Sequence, residues 1–299
     1  MNFKPASSVT HILILGAGAS VDYGLPIWKD LDLLIRNKIS KDSENYYKYK
    51  KEILAWIDKV GSEKVYQTID QCIKDESVSP DYHTTGPEIE NEIFPILKEI
   101  FIEAYQEPLT GWIKKLNGKI LLNRRQKLEE KIAFISYNYD NVLNKNLLNF
   151  EYLPSKQRIF TYREEIEQLS YASVRALYPH GNLFTEETSP HVEVHMNTIK
   201  SGNSKFFDAV SCYESKEHVI ETYNPSKPTN LYFLGLGGGL ETNLGHLEFN
   251  NPVSEIHVTI KNIELKDKVI GLLSERFGKQ PEEIKIYGSC DELIDACFN

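Results

Sequence analysis

The run "HILILG" at His11 limits more than any other stretch how this chain can fold. Four consecutive apolar residues leave no polar face. A strand built from them must be covered on both sides, as in a parallel sheet flanked by helices. The run stops in Gly16-Ala17-Gly18, followed by Ser20, Gly24 and Pro26. Glycines straight after a buried strand let the backbone approach something closely.

Four more stretches repeat the pattern: "KIAFISYN" from Lys131, "LYFLGLG" from Leu231, "EIHVTIK" from Glu255 and "IKIYGS" from Ile284, and "ALYPHGN" holds a further short strand. Helical spacing lies between them. "ELKDKVIGLLSERFG" places Val269, Leu272, Leu273 and Phe277 on one side, and Gly278 suits a C-cap. Strands alternating with helices predict an α/β fold, Rossmann-like, with a mostly parallel sheet. The stretch from about 30 to about 130 differs. "KKEILAWIDKVGSEKVYQTIDQCIKDE" and "EIENEIFPILKEIFIEAY" carry three-to-four apolar spacing, with Pro95 expected to kink or split the second. The expectation is one domain over 1–299, with this large helical insertion after the first strand. A second, irregular insertion is expected over about 185–229. The loop "SVSPDYHTTGPE" is polar and reads as mobile.

The 299 residues suffice for a real core, and 41% hydrophobic with 26% charged residues is the balance of a globular protein. A net charge of −9 does not indicate nucleic acid as a direct partner, and "NRRQK" reads as a solvated helix face. Cys72, Cys212, Cys290 and Cys297 show no C-x-x-C pair, so no zinc site is expected and the thiols read as packing residues. "MNFKPASSVT" has no apolar core of a signal peptide and no stretch has the length of a membrane span, so the expected location is the cytoplasm, with no membrane partner. His83, His191, His195, His218, His246 and His257 show no ligand spacing. "HVEVH" reads as a strand of alternating surface residues rather than a metal pair.

A strand followed by G-x-G and a helix is the dinucleotide-binding arrangement, but Val21 stands where the oxidoreductase fingerprint G-x-G-x-x-G has its third glycine. "GAGASVDYGLP" instead resembles, without a gap, the sirtuin opening motif G-A-G-x-S-x-x-x-G-I-P, through Gly16, Ala17, Gly18, Ser20, Gly24 and Pro26. "SYNYD" resembles the family's T-Q-N-I-D and places Asn138 and Asp140 on its asparagine and aspartate. "PHGN" resembles its His-Gly and places His180 on its base. These motifs span Ile12 to Gly181 in order. "FLGLGGG" is similar to the later glycine-rich nucleotide loop, lacking its usual serine. Sirtuin deacylases have Asp-Phe-Arg after the proline and a four-cysteine zinc module. Here Ile27, Trp28 and Lys29 follow, and the module is missing. The resemblance is therefore to the bacterial sirtuin-like NAD-hydrolysing branch of antiphage systems such as Thoeris.

That resemblance implies cleavage of NAD at the nicotinamide–ribose bond, giving nicotinamide and ADP-ribose, with defence by NAD depletion. It implies His180 as base toward water or a ribose hydroxyl, Asn138 as partner of the water or ribose, and Asp140 as the grip on the nicotinamide carboxamide. Gly16, Ala17, Gly18, Ser20, Pro26, Trp28, Gly235, Gly237, Gly238 and Asn262 would bind the nucleotide, Trp28 covering the ribose. No metal is implied. Plain alternatives stand beside these roles: His180 as a turn histidine, Asn138 and Asp140 as caps of "NVLNKNLL", Trp28 as a core aromatic. An NAD-dependent deacylase and a non-catalytic NAD or ADP-ribose sensor are the competing functions. A constitutive NADase would poison its own cell, so the reading also expects gating, by homo-oligomerisation or by a separate partner such as an ATPase or nuclease.

Overall fold

The computed structural model describes residues 9–41, 54, 95–148, 174–178, 182–184, 192–196, 228–237, 240–244 and 252–298. Its centre is one sheet. Strands β1 (His11–Leu15), β2 (Ile132–Ser136), β3 (Val174–Tyr178), β4 (Val192–Met196), β5 (Thr229–Leu234), β6 (Val253–Thr259) and β7 (Ile284–Tyr287) lie in the order β4-β3-β2-β1-β5-β6-β7. Every neighbouring pair is parallel. This is the α/β, Rossmann-like arrangement that the apolar runs require. All six expected strands are present. Val192–Met196 forms β4 at one edge, as the strand reading of "HVEVH" expects, so the stretch expected to be irregular over about 185–229 contains a strand.

Burial explains the uniform runs. Ile12, Leu13, Ile14 and Leu15 are at most 2% exposed, so neither face of β1 meets water. One face carries Ile12, Ile14, Ala133, Ile135, Leu231, Phe233, Ile256 and Val258, packed with Leu240 and Leu244 of helix α6 (Leu240–Leu244) and with Val269 and Leu273. The last two come from helix α7 (Lys266–Phe277), which ends at Gly278 with φ +62, the left-handed cap expected there. Toward the other face lies helix α8 (Cys290–Cys297), packed on β6 and β7 and against helix α3 (Trp112–Leu122). Lys115 of α3 reaches Asp291 at 3.1 Å and Asp295 at 2.6 Å, tying the two helices. Among the described residues no helix is long and apolar enough to cross a membrane.

The chain divides into two compact units. The sheet lies in the first, with Met1–Asp22, Pro108–Ile199 and Ser204–Asn299; the second holds Tyr23–Glu107 and Lys200–Asn203. The helical stretch expected over about 30–130 is therefore shared: α3 and the short helix α4 (Leu128–Lys131) belong with the sheet. In the second unit, helix α1 (Trp28–Lys41) buries Leu31, Ile35 and Ile39 at four-residue spacing, and the helical residues 95–104 (α2) bury Ile96, Leu97, Ile100 and Phe101. Lys38 of α1 lies 3.1 Å from Glu99 and 2.6 Å from Glu103 of α2. Pro95 opens the described part of α2, and the loop around Pro80 lies outside the described residues.

Candidate nucleotide site

The order of strands locates the candidate site. From β1 the chain moves outward through β2, β3 and β4, then returns to place β5 on the other side of β1. Strand order thus reverses at β1, and in open parallel sheets ligands bind beyond the carboxyl ends of the strands at such a point. The two loops leaving β1 and β5 are the two glycine-rich segments.

These loops are joined by backbone. Gly16 N donates to Leu234 O and Gly18 N to Gly235 O, both at 2.9 Å. A Cβ on Gly16 would lie 2.7 Å from the Leu236 Cα, and one on Gly18 would lie 2.8 Å from both the Cα and the O of Gly235. A Cβ on Gly235 would meet Ala19 N and the Gly18 backbone, and its φ of +65 is itself left-handed. The expectation was that glycine here serves close approach to a pyrophosphate. The structure shows a demand of its own on Gly16, Gly18 and Gly235: each makes room for the opposite loop. The N–H groups of Gly16, Gly18 and, through Gly16 O, Ala19 are committed within the protein. Gly237 is exposed, has φ +46 and would meet nothing within 4 Å. Thr259, at the end of β6, holds the second loop by accepting from Gly235 N at 2.9 Å.

The segment after Gly16 also departs from expectation. Ala17–Tyr23 forms a 3-10 helix of seven residues, not an α-helix, and Gly24 ends it with φ +79. The Trp112 indole N–H donates to Ala19 O at 2.8 Å and pins this turn to α3.

Next to the first loop, three of the sequence candidates converge. Asn138 Nδ2 donates to Gly16 O and to Ser20 Oγ, each at 3.0 Å. Ser20 Oγ donates to Asp140 Oδ2 at 2.8 Å. The other carboxylate oxygen accepts from Val142 N at 2.9 Å, at the first turn of helix α5 (Val142–Asn146). Asp140 thus performs the capping-type role of the plain alternative, whereas Asn138 does not. All three residues are buried. Burial raises the Asp140 pKa to about 6, against the opposing pull of the Ser20 hydroxyl and the Val142 N–H. The Tyr178 phenol is pushed up too, by burial first and then by the Asp140 charge.

The remaining candidates fall elsewhere. Ala17 is half-buried at the start of the 3-10 helix. Pro26 and Trp28 belong to the second unit, Pro26 before α1 and Trp28 as its first residue. Asn262 is exposed beyond β6 and its side chain accepts from Glu264 N at 3.0 Å, capping a short turn. His180 and Gly238 lie outside the described residues. Asn182, Thr259 and Trp112 were not anticipated. Asn182 Nδ2 donates to Asp140 O at 2.7 Å and its Oδ1 accepts from Phe184 N at 2.7 Å, fixing the two loops after β2 and β3. It stood within the quoted "PHGN"; Thr259 and Trp112 carried no local signal.

Compared with models of known protein families and with curated proteins, the chain matches none.

Proposed function

We propose that this chain binds NAD at the point where strand order reverses and hydrolyses it to nicotinamide and ADP-ribose. The observation that carries the reading is the buried Ser20–Asn138–Asp140 cluster, assembled from separate segments beside two interlocked glycine loops at the carboxyl end of β1 and β2. A cationic nicotinamide needs no acid to leave. The enzyme's tasks are to orient the ring, hold the ribose and present a water. The Nδ2 bonds of Asn138 fix its amide plane, and the amide oxygen falls to the water or a ribose hydroxyl. His180 is the base by sequence resemblance. In this reading the role is antiphage NAD depletion in the cytoplasm, gated by homo-oligomerisation or a partner protein.

A second reading is a nucleotide-binding module without turnover. It is favoured by the Asp140 carboxylate, both of whose oxygens already hold partners inside the protein. Calorimetric titration with NAD and with ADP-ribose, beside product analysis with and without an acyl-lysine peptide, separates the readings. Hydrolysis independent of peptide supports the NADase; binding of both ligands with NAD left intact supports the module; peptide-dependent consumption of NAD supports a deacylase.

A further inference from the structure

A second polar cluster lies under α8, on the other half of the sheet. His257 of β6, Tyr287 at the end of β7 and Cys297 at the end of α8 bring three lone-pair atoms together. Cys297 Sγ is 3.1 Å from His257 Nδ1 and 3.5 Å from Tyr287 Oη, and Tyr287 Oη is 3.0 Å from Nδ1. The other ring nitrogen, Nε2, lies 3.0 Å from Glu255 Oε2, whose partner oxygen is 2.9 Å from Lys285 Nζ. The carboxylate therefore accepts a hydrogen bond from Nε2–H, which fixes the ring proton on Nε2 and leaves Nδ1 as a bare acceptor. The ring is held in plane by stacking on Tyr232 at 4.7 Å and Tyr287 at 5.8 Å.

With Nδ1 bare, the thiol donates to the phenol and the phenol to Nδ1, so each group has a partner and the 3.1 Å approach of Sγ to Nδ1 carries no proton. A cation between the three atoms would take their lone pairs at once. We propose that His257 Nδ1, Cys297 Sγ and Tyr287 Oη form a site for one divalent transition-metal ion of the zinc class, with Glu255 orienting the histidine from behind. A tetrahedral zinc with Zn–S near 2.3 Å and Zn–N near 2.05 Å sets S and N about 3.5 Å apart. The observed 3.1 Å needs to open by only about 0.4 Å. A carboxylate behind a ligating imidazole is the usual outer partner of such a site. The thiol proton leaves to solvent on binding, the phenol keeps its proton and ligates through an oxygen lone pair, and the fourth position falls to water. The site owes nothing to the four-cysteine module of deacylases, because one cysteine takes part. It also stands apart from the NAD reading.

The test is a titration of the full chain with Co²⁺, read by the thiolate-to-cobalt charge-transfer absorption, then displacement by Zn²⁺. One equivalent carrying that band is expected, and its loss in Cys297→Ser. Glu255→Gln should weaken Co²⁺ binding about 10–100-fold with the band retained. Tyr287→Phe, which keeps the ring stack, should weaken it further. No band in the wild-type chain, or a band surviving Cys297→Ser, overturns the site. If Cys297→Ser fails to fold by far-UV circular dichroism, Tyr287→Phe decides: unchanged affinity overturns the three-donor site.

Discussion

The two polar clusters of the sheet unit differ in how their protons are placed. At the ends of β1 and β2, Asn138, Ser20 and Asp140 are buried and linked in one direction, each donor meeting an acceptor. Under α8, a thiol, a phenol and a bare imidazole nitrogen converge around a 3.1 Å Sγ–Nδ1 approach that carries no proton, and Cys297 and Tyr287 are partly open to solvent. The first arrangement is a scaffold that ties the loops after β1 and β2 together. The second leaves three donor atoms, two of them on residues partly open to solvent, close enough together to share one cation, as proposed above.

The scaffold is broken most severely at the crossing of the loops. Gly235→Ala forces a side chain into the left-handed region and against Ala19 and Gly18. Strain of about 1–3 kcal/mol and overpacking of about 1–3 kcal/mol together predict a loss of roughly 2–6 kcal/mol in denaturant unfolding. Gly237→Ala, with φ +46 and open space around it, should cost only about 1–2 kcal/mol. Equal costs would show that the loops do not interlock as described.

Asp140 tests whether the buried cluster carries charge. Its folded pKa of about 6 lies above the ordinary 3.8, so between those values the folded state holds more protons than the unfolded one. Stability from this residue is complete at low pH and falls as pH rises through about 6. The fall approaches roughly 3 kcal/mol, since each pKa unit is worth about 1.4 kcal/mol. Asp140→Asn should remove that slope. A wild-type chain whose stability is flat or rises over this range relative to the variant contradicts the assignment.

A smaller contrast compares the clusters directly. Asn138→Ala strips the buried Gly16 and Ser20 contacts and should cost about 1–3 kcal/mol. Cys297→Ser, at a partly exposed helix end, should cost about 1 kcal/mol or less in metal-free buffer. The reverse order would mean that the α8 cluster, not the β1–β2 edge, is the structural one.

Much of the sheet was legible because parallel strands are apolar on both faces, and β1, β2 and β5 announce that as unbroken runs. The glycine loops were legible as loops, but the reason for Gly18 was not. Its neighbour Gly235 lies 217 residues away, and no local pattern reports which backbone will press against it. Ser20, Asn138 and Asp140 stand out by motif order, but their contact needs the β1–β2 register. His257 gives no sequence signal because Tyr287 and Cys297 stand at no ligand spacing along the chain; three elements must pack before the cluster exists. The 3-10 form of Ala17–Tyr23 was hidden for a related reason. A glycine at φ +79 and a tryptophan from α3 fix that turn, and neither is visible in its apolar pattern.

Whether this edge holds NAD and breaks its nicotinamide bond is read from nicotinamide release, measured beside NAD binding on the same samples of wild-type chain and Asn138→Ala. Release by the wild type is expected, with a fall of about 10²–10⁴-fold in the variant and binding that changes little. Release that survives Asn138→Ala undiminished, or a folded wild-type chain that neither binds nor cleaves NAD, would contradict the NADase reading.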